Sequence, residues 1–303
     1  MNINFRTDMA DERVDEYKQV HNLTAIDGIK VESIKKDIMK ITTVDVLNEN
    51  GKAALGKDIG RYITMEVQDI EYITDDEKQR VIEEIADILK VLVDKKFYSI
   101  MVVGLGNEAV TPDSLGPKVI SYINVTRHML RYASEFVVPG TREISAISPG
   151  VLGTTGIETE EIVESVVKFV KPDVLIVIDS LASMSVSRVG RTIQIGNTGI
   201  TPGAGIGNKR RSLNKESLGV DVIAIGVPTV VDMATITNEA IEKLLENNKI
   251  NSVQNNFLKD KDDRYKVIAD TLHTENYIVT PKEIDAVILK ISEIIASGLN
   301  VAL

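Results

Sequence analysis

Two apolar runs, each of strand length and each ending in a loop with one aspartate, constrain this chain more than any other feature. The first lies in YSIMVVGLGNEAVTPDSLGP, residues 98–117, and carries Asp113; the second lies in VLIVIDSLASMSVSR, residues 174–188, and carries Asp179. Continuous apolar runs of this length read as strands of a parallel sheet, buried on both faces. In open α/β sheets, ligands bind at the carboxyl ends of such strands. Two aspartates in equivalent strand-end places are therefore candidates to meet, although each alone is equally explained as a helix N-cap.

The rest of the chain supports that frame. Thr74-Asp75-Asp76-Glu77 is a capping box that opens a helix to about Asp94, with Val81, Ile85, Ile88, Leu89 and Leu92 on one face. A helix from 113 or 114 to 132, an apolar run at 136–138, a glycine-punctuated loop through Gly156 and a helix at 158–170 follow. Further strands are expected at 191–195 and 220–227, and a last helix begins at Thr280-Pro281 and closes near Ser297. Strand and helix thus alternate from about residue 75, which predicts an α/β fold: a doubly wound, mostly parallel sheet with helices on both faces. Residues 28–70 alternate apolar and polar positions between turn signals, predicting a small antiparallel β extension near the N-terminus. The first 20 or so residues are polar and mixed in charge, as expected of an exposed arm or short helix. One α/β domain over 1–303 accounts for all of this.

Composition narrows the function. An apolar fraction of 43% over 303 residues supplies a sizeable core. The apolar runs are well short of the roughly 18 residues of a membrane helix, and the amino terminus has no secretory-type apolar segment, so a cytoplasmic protein is expected. With no cysteine, disulfides, thiolate nucleophiles and sulfur-ligated metal centres are excluded. A net charge of −10 argues against general nucleic-acid binding. Only His21, His128 and His273 are present, in no metal-ligating spacing, so no cofactor or metal is expected.

Two carboxylates brought together do not both ionise readily, so one keeps a proton while the other stays charged. Such a pair provides an acid and a base in one pocket, enough to activate water and protonate a leaving amine. The glycine-rich stretch 199–207 matches neither phosphate-loop pattern and reads as a flexible or substrate-lining loop. The adjacent Lys209, Arg210 and Arg211 are either solvated or engage an acidic group. Asp232 reads as a carboxylate in the first turn of a helix.

GLGNEAVTPDSLGP, VIDSLASMSVSRVGRTIQIGNTGITPGAGIGNKR and VIAIGVPTVVD, with RTDMA near the start, together resemble the germination protease family of spore-forming bacteria. The resemblance implies an atypical aspartic endopeptidase, on a fold similar to the hydrogenase-maturation endopeptidases. It implies digestion of the small acid-soluble proteins that coat spore DNA during germination, synthesis as a zymogen, assembly as a homotetramer and a place in the spore interior. Its two catalytic aspartates fall on Asp113, in TPDSLGP, and Asp179, in VIDSLAS. The related maturation endopeptidases bind nickel with help from a histidine; none stands near 220–232 here, so metal-independent hydrolysis is expected.

The family cuts after an acidic residue followed by an apolar and then a small one, and Thr7-Asp8-Met9-Ala10 is similar to that pattern. Self-cleavage between Asp8 and Met9 is the resulting expectation, with residues 1–8 as a pro-segment shorter than the family's usual one. Lys209, Arg210 or Arg211 would supply positive charge for the acidic residue before the cut. Two other readings compete: a metal-dependent endopeptidase of the hydrogenase-maturation type, and a non-catalytic module that holds a peptide or anion.

Overall fold

The computed structural model describes residues 7–68, 70–201, 211–246, 267–268 and 277–303. Its strands are β1 (Ile29–Lys36), β2 (Met39–Val46), β3 (Gly60–Val67), β4 (Ser99–Gly104), β5 (Glu143–Ile147), β6 (Val174–Ser183), β7 (Thr192–Gly196), β8 (Asp221–Asp232) and β9 (Ile278–Val279). The helices are α1 (Ala10–His21), α2 (Glu49–Leu55), α3 (Asp75–Leu92), α4 (Leu115–Ser121), α5 (Arg127–Tyr132), α6 (Leu152–Thr155), α7 (Thr159–Val170), α8 (Lys215–Leu218), α9 (Met233–Glu246) and α10 (Ile284–Ala302).

The described strands form one sheet in the order β1-β2-β3-β7-β8-β6-β4-β5, with β9 added beside β8. Strands β8, β6, β4 and β5 run parallel. Strands β1, β2, β3 and β7 pair antiparallel, and β7 joins β8 antiparallel. The fold is therefore α/β, with a parallel half and an antiparallel half sharing one sheet.

Burial explains the sequence pattern. Every residue of β4 is buried, and β6 is buried except at Ser180, as continuous apolar runs require. Side chains alternate between faces. Ile100, Val102 and Ile176 pack with α3, α4 and α10, whereas Met101, Val103 and Leu175 pack with Val163 and Val167 of α7. From β4 the chain passes through α4 on one face to β5, then returns through α7 on the other face to β6. The winding reverses between β4 and β6, and that reversal opens a crevice at their carboxyl ends.

The capping box forms as expected, with Thr74 Oγ1 accepting from Glu77 N–H and Glu77 accepting from Thr74 N–H. Four expectations are corrected. The last helix begins at Ile284 rather than at Pro281 and runs to Ala302 rather than closing near Ser297. The helix after β4 is two pieces, α4 and α5, because Thr126 is captured by the edge strand β5: its N–H donates to the Ile144 carbonyl, and its hydroxyl accepts from Ile144 N–H. Strand β5 lies where a loop was expected, while Phe136 and Val138 are exposed. The amino-terminal segment forms a short helix, one of the two forms expected, but it is not exposed: Thr7, Met9, Ala10 and Val14 are buried, and α1 covers Val44, Val46 and Tyr62 on the antiparallel half.

Candidate active site

Asp113 owes its position to a tight approach of the β4 loop to the start of α4. Leu105 N–H donates to the Ile178 carbonyl at 2.8 Å, tying the loop to β6 one residue before Asp179. Gly106 follows with φ +114°, and a Cβ there would lie 2.0 Å from the Asp113 carbonyl oxygen, so only glycine fits. Asn107 N–H donates to Asp113 Oδ2 at 2.9 Å and to its carbonyl oxygen at 3.0 Å. The Thr111–Asp113 segment is a short 3-10 turn stiffened by Pro112.

Asp179 stands within β6, in register with Gly226 of β8. Its Oδ1 accepts from Ser180 N–H at 2.9 Å, and the residue is 6% exposed. Asp113 is half-buried. Both aspartates line one cavity of about 430 Å³ at the β4/β6 reversal, together with Val110, Pro112 and Thr159.

Asp8 lines that same cavity. The backbone of Ala182, near the end of β6, grips it at two points: Asp8 N–H donates to the Ala182 carbonyl at 3.1 Å, and Ala182 N–H donates to Asp8 Oδ2 at 3.0 Å. The Asp8 carbonyl oxygen accepts from Lys57 Nζ at 2.7 Å and from Gln194 Nε2 at 3.2 Å. Gln194 Oε1 in turn accepts from Ala10 N–H at 2.7 Å, so one amide spans the Asp8–Met9 bond. Lys57 and Gln194 line a second cavity, of about 160 Å³, which Asp8 also borders. Burial lowers the Lys57 pKa from its ordinary value, and the neighbouring Asp8 opposes that effect. Tyr62, whose ring lies 5.9 Å from Lys57 Nζ, has its phenol pushed up to about 12 by burial.

Behind Asp8 the segment is anchored by a buried charge cluster. Arg188 donates to Asp11 at 2.7 Å and to Glu66 at 3.0 Å, and lies 3.7 Å from Glu12. Glu12 also accepts from Met184 N–H at 2.8 Å, from Ser183 Oγ at 3.1 Å and from the Thr7 hydroxyl. Burial raises the Glu12 pKa above its ordinary value, more than these donors and Arg188 lower it.

Of the other residues singled out in the sequence, Arg211 is exposed, whereas Lys209 and Arg210 lie outside the described residues. His21 and His128 are exposed, and His273 lies outside the described residues. Asp232 sits one residue before α9 rather than in its first turn; its Oδ1 accepts from Thr235 N–H at 2.8 Å. Among the described residues, no group of three or more His, Cys, Asp or Glu is placed to hold a metal ion. None of the described helices is long and apolar enough to cross a membrane. Sequence reasoning missed Lys57 and Gln194. Gln194 left a signal: it is a polar residue in the middle of a strand whose five positions are all buried, and such a group needs partners. Lys57, after the helix-ending Gly56, left none.

Comparison with known proteins gives the class first. A peptidase family model described as germination protease matches residues 5–259, so the chain is a hydrolase that acts as a protease. Germination proteases of Clostridium tetani and of Caldanaerobacter subterraneus subsp. tengcongensis are 44% and 46% identical to it. The first alignment covers 98% of this chain and 95% of the relative, the second 99% and 94%. The chain belongs to the germination protease family. Among solved structures, a NiFe hydrogenase maturation protease, HycI of Thermococcus kodakarensis, aligns at 16% identity with a TM-score of 0.31, over 61% of this chain and 99% of its own.

Proposed function

We propose that this protease is an aspartic endopeptidase that digests small acid-soluble spore proteins during germination, with Asp113 and Asp179 as its acid–base pair. The observation that carries the proposal is the single cavity at the β4/β6 reversal, lined by both aspartates and by Asp8 of the chain itself. One carboxylate, ionised, takes a proton from water as the water oxygen adds to the scissile carbonyl. The other, protonated, gives its proton to the departing amine.

The bond before Met9 is the proposed self-cleavage site of a zymogen, with residues 1–8 as the pro-segment. An acidic residue already occupies the place before that bond, and the Ala182 N–H that meets its carboxylate favours an acid there. Lys209, Arg210 or Arg211 is the proposed source of positive charge for that acidic residue in substrates. The proposed setting is the spore interior, the proposed assembly a homotetramer, and the whole chain one peptidase domain with 28–70 as its β extension.

The test is incubation with a small acid-soluble spore protein, with and without chelator. Cutting that survives chelator and disappears in Asp113→Asn and in Asp179→Asn is the expected result. Cutting lost to chelator would reassign the chemistry to a metal, and cutting retained by either variant would remove that aspartate from the mechanism.

A further inference from the structure

Asp8 shares a cavity with the two carboxylates, while other groups hold its carbonyl oxygen. We propose that Lys57 and Gln194 form the oxyanion-stabilising site of this protease, gripping the scissile carbonyl oxygen of substrates as they grip that of Asp8. The inference rests on the aspartate reading above and deepens it.

Three observations carry it. First, two donors from different elements, the turn after α2 and strand β7, converge on one carbonyl oxygen at 2.7 and 3.2 Å. The Lys57 distance lies within the roughly 2.7–3.1 Å expected of a donor to a developing oxyanion, and Gln194 stands just beyond it on the ground-state carbonyl. Second, that oxygen belongs to Asp8, a residue that borders both cavities, the larger with Asp113 and Asp179, the smaller with Lys57 and Gln194. Third, Gln194 also fixes the chain two residues further on through Ala10 N–H, so it sets the register of the bond as well as the polarity of its carbonyl.

The division of labour balances. Water adds through oxygen to the carbonyl carbon and gives a proton to the ionised carboxylate. The carbonyl π electrons move onto oxygen, where the Lys57 ammonium and the Gln194 amide hold the negative charge. Collapse re-forms the C=O bond and breaks C–N, and the nitrogen takes the proton of the second carboxyl. Because the oxygen is held by Lys57 and Gln194, neither aspartate has to protonate it.

The experiment compares the full-length chain with Lys57→Met, Gln194→Glu and Asp179→Asn on a peptide containing Thr-Asp-Met-Ala, measuring kcat and KM, with thermal melting as the check on folding. Gln194→Glu is nearly isosteric and keeps the acceptor for the downstream N–H while removing the donor, so it preserves the fold if Lys57→Met does not. The expected result is a fall in kcat of about 10²–10³-fold in Lys57→Met and in Gln194→Glu with KM within about threefold of the parent. If the two residues only dock the amino-terminal segment, weakening them unblocks the cleft. Turnover equal to or above the parent's in Gln194→Glu would overturn the proposal and leave the aspartate reading intact. Retained cutting in Asp179→Asn would overturn that reading instead, while the Gln194→Glu arm still decides this one.

Discussion

The two halves of the sheet solve different problems. In the parallel half, β4 and β6 are buried on both faces, and Asp113 in the turn after β4 and Asp179 within β6 line a cavity where the winding reverses. The site is there because parallel topology opens a crevice at that point. In the antiparallel half, β2 and β3 are covered on one face by α1, and Lys57, together with Gln194 of β7, holds the amino-terminal segment. The contrast teaches that, on the proposed reading, the first half supplies the groups that would move protons, whereas the second supplies groups that hold a peptide segment of the chain itself.

The largest expected break in this contrast is Asp179→Asn. It should lower peptide cutting by about 10²–10⁴-fold, the usual contribution of a positioned acid or base, while urea unfolding changes little. Next is Arg188→Met, which leaves Asp11 and Glu12 buried without their cation. Docking of α1 should weaken by about 3–5 kcal/mol, read as faster cleavage of the amino-terminal segment by an added protease. The same cluster sets a pH dependence. Glu12 has its pKa raised in the docked state, so the stability its protonated form contributes is fully present below its ordinary value of 4.5 and is lost as pH rises through the raised value. Protection of α1 should therefore increase from neutral to mildly acidic solution, and Glu12→Gln should flatten that profile. A flat profile in the parent chain would sink the assignment.

Gly106→Ala comes lower. A side chain at φ +114° and 2.0 Å from the Asp113 carbonyl forces the loop to shift, costing about 1–3 kcal/mol and displacing Asp113, so activity should fall more than stability does. Smallest is Thr74→Ala, which removes a capping box far from either cavity. It should cost about 1 kcal/mol in thermal unfolding and leave turnover unchanged.

Legibility in the sequence followed the same divide. The buried strands at 99–104 and 174–183 announce themselves because burial on both faces leaves an unbroken apolar run, and α3 does so through its cap and its 3.6-residue periodicity. The edge strand β5 did not, since only Ile144 among its five positions is fully buried. The break between α4 and α5 depends on Thr126 meeting a strand that comes later in the chain. Asp113 was visible in the turn after a strand, whereas Asp179, expected in the loop after Ile178, lies within β6 because the strand continues to Ser183. The partners of the Asp8 carbonyl were not: Lys57 and Gln194 stand 49 and 186 positions from it, and no local pattern encodes such a meeting.

One consequence of the buried Thr7-Asp8-Met9 segment concerns kinetic order. A ligand joined to its own site by a covalent chain competes at an effective concentration that dilution does not alter. Onset of turnover, once the segment is cut or displaced, should then be a first-order event whose half-time is the same at any protein concentration. An onset that quickens as the protein is concentrated would show instead that one molecule releases another.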